Sequence, residues 1–312
     1  GPLAGFTRLA GSRWVICGKS PVLTPECFSY CDLGGSWGAQ LKFAGYDGLV
    51  IQGQASRPVY LHIQDEAIQI RDASALWGKS AVQTREVLKG GLGGLTRVVA
   101  TGPAGDNGVT MATLLADNDA SGSSGFGAVM GSKRLKAIAV KGSGRVTAAH
   151  PEKLRELADY VSELTGAAPR SGPSALERQG LKKVACFGCI RGCRRATYES
   201  KDGQKGKFMC QSAAFYEGWA GKHYGGRSEA PFLANRMCDE YGLDTKAIAV
   251  LLEWLSRCYQ AGILTDENTG LSLSQMGSVE FFQALAHSIA WRQGFGEVLA
   301  KGIHKAAKLV GR

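Results

Sequence analysis

The sequence predicts an α+β fold in which a β-rich domain precedes a mostly helical one. Two observations carry this prediction. From residue 13 to about residue 145, short β-rich runs are separated by Gly, Pro and Asp, as strands joined by turns are. After the stretch "KGSGRVTAAHPEK", the apolar residues recur with the period of a helix. We therefore place a β-rich domain over residues 1–146 and a helical domain over residues 147–312.

Six runs in the first domain have the composition of strands, and one has that of a helix. The runs that predict strands are, in chain order, "RWVICG", "GLVIQGQ", "PVYLHIQ", "AIQIRD", "LTRVVATGPAG" and "LKAIAVKG". They are rich in the residues that strands favour and are bounded by turn formers. A short helix is expected over "SAVQTREVLKG".

Three helices are predicted in the second domain. The first follows Pro151, a residue suited to the first turn of a helix, and one of its faces carries Leu154, Leu157, Val161 and Leu164. The second covers "DTKAIAVLLEWLSRCYQAG", with Asp244 as its N-cap and Gly262 just past its end. The third covers "SVEFFQALAHSIAWRQGFG", with Ser278 as its N-cap.

The composition is that of a globular protein with a basic surface. The 312 residues are 44% hydrophobic and 21% charged, with a net charge of +10. This charge fits either a solvated basic surface or an acidic partner. No nucleic-acid-binding motif is evident, no apolar run is long enough to span a bilayer, and no signal segment opens the chain. The nine unevenly spread cysteines do not form a secreted disulfide framework, so we expect a reducing cytoplasm.

Three cysteines in "CFGCIRGC" have the spacing of metal ligands. Cys186, Cys189 and Cys193 follow a C-x2-C-x3-C pattern. This pattern favours an iron–sulfur cluster over zinc, which would need a second C-x2-C or a pair of histidines nearby. The chain offers three further thiols as a fourth ligand, although lone cysteines are more often small buried hydrophobes; these are Cys210, Cys238 and Cys258. The basic flanks, which either dock an acidic electron carrier or form a solvated loop, are Lys182, Lys183, Arg191, Arg194 and Arg195.

Several stretches together resemble the tungsten-containing aldehyde:ferredoxin oxidoreductases. "GAQLKFAGYDGLVIQGQASRPVYLHI", "IRDASALWGK", "ATGPAGDN" and "GFGAVMGSKRLKAIAV" are similar to the first domain of that family, and "CFGCIRGC", "YEGWA" and "CDEYGLDT" follow in the family's order. The resemblance implies a tungstopterin centre, in which two pterins hold tungsten or molybdenum and a magnesium ion bridges their phosphates. It also implies one [4Fe–4S] cluster. Finally, it implies that the chain lacks residues at its start and a third domain at its end.

The resemblance assigns two loops and one arginine of the first domain to the pterins. Arg13 matches an arginine near the pterin phosphates, and Gly34 in "DLGGSWG" matches a glycine of a pterin loop. Asp32 replaces the usual Asn, and its charge is unfavourable near phosphates unless magnesium or Arg13 compensates it. Ser123 stands where the family often has Arg, and the same loop continues with Ser124, Gly125 and Phe126.

In the second domain, the resemblance singles out "DEYGLD" and a glutamate. Asp239 would accept two N–H donors from the edge of a pterin, while the backbone of Leu243 and the side chain of Asp244 would face the ring. The alternative is that Asp239 closes one helix and Asp244 caps the next. A second copy of the motif, ending in Cys, is expected outside these residues and would supply the fourth cluster ligand. Glu217 matches a glutamate near tungsten that could act as a general base.

The resemblance implies an oxidoreductase that converts aldehydes to carboxylic acids and passes electrons through the cluster to ferredoxin. Two alternatives stay open. The chain could instead be the tungsten subunit of a complex like benzoyl-CoA reductase, because Asp32 and Ser123 depart from the family pattern. It could also be a truncated, non-catalytic Fe–S electron-transfer subunit. The expected partners are ferredoxin or another electron-transfer subunit, an aldehyde or acyl substrate, and further copies or subunits in an assembly.

Overall fold

The chain begins with a two-stranded antiparallel hairpin. The computed structural model describes residues 1, 3–9, 13–166, 180–190 and 192–311. Strand β1 (Trp14–Ser20) pairs with β2 (Cys27–Leu33), with Trp14 opposite Leu33 and Ser20 opposite Cys27. One face of the hairpin packs inward through Trp14 and Leu33, while Phe28 and Tyr30 on the other face are exposed. The period-2 alternation of a strand explains this division.

A five-stranded mixed sheet forms the centre of the first half. Its strands are β3 (Val59–Gln64), β4 (Ala67–Asp72), β5 (Arg97–Thr101), β6 (Leu114–Leu115) and β7 (Leu135–Lys141), in the order β4-β3-β7-β5-β6. Only the β3–β7 pair is parallel. Strand β7 in the middle of the sheet is buried on both faces, as its mostly apolar sequence requires, whereas the edge strand β4 is largely exposed.

Four helices of the first half cover this sheet. They are α1 (Trp37–Phe43), α2 (Ala81–Leu92), α3 (Pro103–Asp106) and α4 (Phe126–Ser132). Side chains of α1 and α4 share a core with Ile138 and Val140 of β7, and the opposite face of β7 packs with Leu88 of α2. Helix α2 begins at a capping box in which Ser80 accepts from the N–H of Gln83.

The second half consists of helices and one small sheet. A three-stranded antiparallel sheet contains β8 (Lys182–Lys183), β9 (Ala196–Glu199) and β10 (Lys205–Lys207). The helices are α5 (Pro151–Gly166), α6 (Cys210–Ala214), α7 (Glu217–Tyr224), α8 (Ala230–Tyr241), α9 (Thr245–Gln260), α10 (Asp266–Thr269), α11 (Val279–Trp291), α12 (Gly296–Leu299) and α13 (Ile303–Val310). In the described residues, no helix is both long and apolar enough to cross a bilayer.

The helical core extends into the first half of the chain. Its centre is formed by α9 and α11, through residues such as Leu251, Leu255, Phe281 and Leu285. Residues 104, 109, 111 and 112, which precede the predicted boundary at residue 146, are buried in the same core. The two halves therefore share packed surface, and the boundary itself stays a prediction.

The α+β class and most predicted elements are confirmed, and one predicted strand is wrong. Residues 48–54, expected as a strand, have no strand pairing, and Val50 is 88% exposed. Only three consecutive residues of this run are apolar, and without a neighbouring strand their backbone remains a loop. The helix after Pro151 is present, but Leu157 and Leu164 on its apolar face are exposed.

Candidate cofactor site

The loop between β2 and α1 is held in place by a carboxylate from elsewhere in the chain. The N–H groups of Ser36 and Trp37 donate to the two oxygens of Asp117, at 2.6 and 2.9 Å. These donors belong to the first turn of α1, where backbone N–H groups have no partner within the helix. Asp117 therefore fixes the position of the loop that the family resemblance assigns to a pterin.

The same loop touches the first cysteine of "CFGCIRGC". A Cβ atom added to Gly34 would lie 2.5 Å from Sγ of Cys186. Beside this contact, the N–H of Phe187 donates to the carbonyl oxygen of Gly35 at 3.0 Å. Two segments that are far apart in sequence, one predicted to hold a pterin and one a cluster, are therefore adjacent. Only a glycine allows the loop to approach the thiol this closely.

The three thiols of the motif lie near the surface, and a turn at residues 187–188 separates the first two. The N–H of Cys189 donates to the carbonyl oxygen of Cys186 at 3.1 Å. Cys186 and Cys189 are half-buried, whereas Cys193 is exposed. Within the described ranges, no three His, Cys, Asp or Glu side chains are grouped as a bound metal ion requires. Cluster ligation by these cysteines thus stays a prediction, and Arg191 lies outside the described residues.

Two of the other thiols are core residues of the helical half. Cys238 on α8 and Cys258 on α9 are buried among apolar side chains. Burial raises the pKa of Cys238 well above its ordinary value, because a thiolate is poorly solvated there. Both cysteines therefore behave as small hydrophobes, as lone cysteines usually do. The side chain of Cys210 lies outside the described part of the structure.

Arg195 is buried beside the contact between Gly34 and Cys186. Its side chain is only 7% exposed, and its Nη1 atom has no hydrogen-bond partner. Nη1 and Nη2 lie 3.8 and 3.9 Å from the position that a Cβ of Gly34 would take. The sequence places Arg195 only in a basic flank. Nothing in that pattern distinguishes a buried arginine from a solvated one, so its position is a structural finding.

Asp32 and Arg13 form a weak ion pair at the end of the hairpin. Oδ2 of Asp32 lies 4.0 Å from Nη1 of Arg13, and both side chains are exposed. Arg13 thus provides a positive charge beside Asp32, which would offset the repulsion between this aspartate and nearby phosphates. Because the pair is solvated, it contributes little to the stability of the fold.

The serine loop, residues 121–126, and the start of α9 line a small cavity of about 340 Å³. Ser123, Ser124 and Asp244 contribute to its wall, so predicted binding residues from two distant parts of the chain meet there. Ser124 has a φ of +67° and hydrogen-bonds through its hydroxyl to the hydroxyl of Ser29. Asp244 caps α9 by accepting from the N–H of Lys246 at 2.9 Å.

Gly125 and Phe126 have structural roles in the same loop. Gly125 has a φ of +72°, and a Cβ there would lie 2.4 Å from the carbonyl oxygen of Thr110. The ring of Phe126 is buried in the core beneath the hairpin. Phe126 also lines an apolar cavity of about 1000 Å³ between the hairpin and the sheet, together with Trp14 and Trp37. The sequence gives no sign of this larger cavity.

Asp239 forms a buried ion pair. Its side chain is 2% exposed, and Oδ1 accepts from Nζ of Lys207 at 3.0 Å. Oδ2 accepts from Nδ2 of Asn235 at 3.3 Å. Nζ of Lys207 also donates to the carbonyl oxygen of Asp119 and to Oγ of Ser121. Lys207 thereby joins the motif "DEYGLD" to the serine loop, a link that the sequence does not reveal.

Burial dominates the electrostatics of Asp239. It raises the pKa of this carboxyl to about 6, although the attraction of Lys207 opposes the change. The carboxylate has about four acceptor positions, so it could accept from a ligand in addition to its present partners. Behind it, Gly242 ends α8 with a φ of +74°, and the backbone of Leu243 pairs with Ala112.

Glu217 is the first residue of α7 and is half-buried. Helix α7 packs against α6 and against α8, the helix that carries Asp239. The neighbouring Tyr216 is fully buried and donates its hydroxyl to the carbonyl oxygen of Ser278 at 2.8 Å. This anchor fixes the start of α7 and therefore the position of Glu217. A role for Glu217 as general base stays a prediction.

Comparison with known proteins identifies relatives along the whole chain. The tungsten-containing aldehyde ferredoxin oxidoreductase of Pyrococcus abyssi is 32% identical over 99% of this chain and 57% of its own length. The aliphatic sulfonate oxidoreductase, WOR-like subunit, of Pyrococcus furiosus is 30% identical over 98% of this chain and 57% of its own length. The chain therefore spans somewhat more than half of these curated relatives.

A solved structure and two family models agree with these relatives. The active site complex BamBC of benzoyl coenzyme A reductase, solved with 1,5-dienoyl-CoA, contains a chain that superposes with a TM-score of 0.84 at 25% identity. The match covers 100% of this chain and 53% of that one. Residues 1–142 match the family model for the aldehyde ferredoxin oxidoreductase N-terminal domain, and residues 128–312 match the model for domains 2 and 3. The chain belongs to the aldehyde ferredoxin oxidoreductase family.

Proposed function

We propose that this chain forms the N-terminal and central part of a tungsten or molybdenum bis-pterin oxidoreductase. It would oxidise an aldehyde to a carboxylic acid and deliver the electrons through a [4Fe–4S] cluster to ferredoxin. The contact between the loop of Gly34 and Cys186 is the observation that carries this proposal. Electron transfer needs the pterin and the cluster to be close neighbours, and this contact brings together the two segments assigned to them.

The residues at this contact suit such groups. Gly34 leaves room for a flat ligand to approach the backbone, and Cys186 offers a thiolate ligand for iron. Arg195 contributes a buried donor without a partner. Under this proposal, Cys189 and Cys193 complete the ligands from this chain, and the fourth comes from a segment outside these residues.

The pterins would be held by polar groups that meet around the serine loop. Asp239 and Asp244 would accept from ring N–H groups. The hydroxyls of Ser123 and Ser124 would donate to polar atoms of the ligand, and Arg13 would lie near the phosphates. Asp32, which is paired with Arg13, could share a magnesium ion with those phosphates.

The protein's task in this reaction is to position the substrate and to move protons. A bound metal–pterin centre supplies two-electron chemistry and a cluster supplies single-electron transfer. Oxidation of an aldehyde by water gives one carboxylic acid, two electrons and two protons. Glu217 would take a proton from the attacking water or from the hydrated aldehyde. The basic surface fits an acidic electron carrier, and we expect the enzyme to work in the cytoplasm as part of an oligomer or complex.

One observation favours a second candidate, a role like that of the tungsten subunit of benzoyl-CoA reductase. The structural likeness to the BamBC chain covers this whole chain. In that case the same cofactors would act on an acyl substrate, and electrons would flow toward it. Relative to the family pattern, Ser123 replaces a charged arginine and Asp32 replaces a neutral asparagine. Both changes fit a substrate other than a simple aldehyde.

An assay of the full-length protein, purified without oxygen, distinguishes the two candidates. We expect aldehydes to reduce ferredoxin or a viologen dye, and Glu217→Gln to lower this rate by about 10²-fold or more with unchanged metal content. The matched control is Glu253→Gln on the exposed face of α9, which should keep full activity. Reduction of an aromatic acyl-CoA without any aldehyde oxidation would favour the second candidate. If Glu217→Gln is as active as Glu253→Gln and the wild type, the role of Glu217 is refuted.

A further inference from the structure

The side chain of Arg195 is buried without a partner for one of its guanidinium nitrogens. Its backbone is fixed, because its carbonyl oxygen accepts from the N–H of Val184 at 3.1 Å. The residue is 7% exposed, and its Nη1 atom is fully enclosed. A buried N–H group without an acceptor destabilises the folded protein, and more so when the group is charged. Within the described structure, no hydrogen bond to Nη1 offsets this destabilisation.

The surroundings of Arg195 show where an acceptor belongs. Nη1 and Nη2 lie within 4 Å of the position that a Cβ of Gly34 would take, and the Sγ atom of Cys186 lies 2.5 Å from the same position. The nearest predicted ligand for this space is a sulfur-rich, negatively charged cluster bound through Cys186. Guanidinium groups suit such a site, because they stay charged and donate several N–H groups in a rigid plane.

We propose that Arg195 is a cofactor-binding residue that donates Nη1–H to the sulfur atoms of the cluster held by Cys186. This inference rests on the proposed function, since it assigns a role toward the same cluster. Hydrogen bonds to cluster sulfurs and nearby positive charge both stabilise the reduced, more negative form. Arg195 therefore raises the reduction potential of the cluster, which favours its acceptance of electrons from the pterin side.

The experiment compares the cluster potential of variants in the full-length, anaerobically purified protein. Arg195→Gln removes the charge and shortens the donor, whereas Arg195→Lys keeps the charge without the planar donor group. Lys183→Gln is the matched control, because it removes one positive charge from the exposed strand β8 in the same region. The readouts are iron per chain and the midpoint potential from a titration followed by electron paramagnetic resonance.

We expect Arg195→Gln to retain iron and to shift the midpoint potential to a more negative value. Arg195→Lys should shift it less, and Lys183→Gln should leave it unchanged within error, because water screens an exposed charge. If Arg195→Gln fails to hold iron while Arg195→Lys holds it, the binding role is supported as well. A potential in Arg195→Gln equal to that of Lys183→Gln would overturn the inference.

A second measurement separates ligand binding from a purely structural role. In the metal-free protein, Arg195→Gln should unfold at the same temperature as the wild type or above it, because it removes the buried Nη1–H group that has no acceptor there. Equal destabilisation of the metal-free and the iron-loaded protein would mean that Arg195 serves the fold, and would overturn the inference. A wild-type protein without iron would refute the proposed function itself, whereas iron-loaded wild type with an unshifted variant refutes the inference alone.

Discussion

Replacing Gly34 with alanine tests whether the contact with Cys186 forms the cofactor site. The added Cβ would lie 2.5 Å from Sγ of Cys186, whereas atoms in van der Waals contact keep a distance of about 3.5 Å or more. The thiol must therefore move by about 1 Å. Metal ligands tolerate deviations of only about 0.2 Å, so Gly34→Ala should lose most of its iron.

The fold itself should survive this change. The φ of Gly34 is not in the left-handed region, so alanine brings no backbone strain, and a displaced cysteine rotamer costs only about 0.5–1.5 kcal/mol. Gly90→Ala is the matched control. It places the same methyl group on α2, where nothing lies within 4 Å, and should stabilise the helix by about 0.5–1 kcal/mol.

The assay for Gly34→Ala combines iron analysis, the visible spectrum and denaturant unfolding of the metal-free protein. We expect low iron and a bleached spectrum together with nearly normal unfolding. Gly34→Ala with the iron content and spectrum of the wild type would refute the reasoning, because the cluster would then not depend on the position of Cys186.

Three further predictions concern the stability of the metal-free protein. Lys207→Met should cost about 3–5 kcal/mol near pH 8, because it leaves the carboxylate of Asp239 buried without its cation; in Lys205→Met, on the exposed end of the same strand, urea unfolding should change by under about 1 kcal/mol. Since the pKa of Asp239 is raised from 3.8 to about 6 on folding, its stabilising contribution is complete below pH 4 and disappears as the pH rises through 6. If the contribution of Asp239 to the free energy of unfolding instead increased between pH 4 and pH 6, the burial argument would be contradicted. Ser278→Ala should cost about 1 kcal/mol by removing the cap of α11, and Ser278→Asp should restore it; equal melting temperatures for the two variants would show that the cap does not matter.

Local rules were enough to predict the elements whose signals lie within a few residues. Asp244 and Ser278 are N-caps as expected, because a cap depends only on the next turn of the chain. Strands β3 and β4 were also predicted correctly from their composition, whereas their pairing as a hairpin is a structural finding. The prediction of a strand at residues 48–54 was wrong. A strand needs a neighbouring strand to pair with, and a short apolar run does not show whether one is present.

Long-range electrostatics could not be predicted in this way. The pairing of Lys207 with Asp239 and the burial of Arg195 arise from segments that meet only in the folded chain. A lysine or arginine in a sequence is most often solvated, so neither residue stands out. The family resemblance identified Gly34 and Cys186 separately, and the structure supplied the contact between them.

The most direct test of the proposed cofactors is metal analysis of the full-length protein after anaerobic purification. The proposal predicts tungsten or molybdenum together with about four iron atoms per chain. Iron without tungsten or molybdenum would instead indicate a non-catalytic electron-transfer subunit. Stoichiometric zinc with neither iron nor tungsten nor molybdenum would contradict the proposed function.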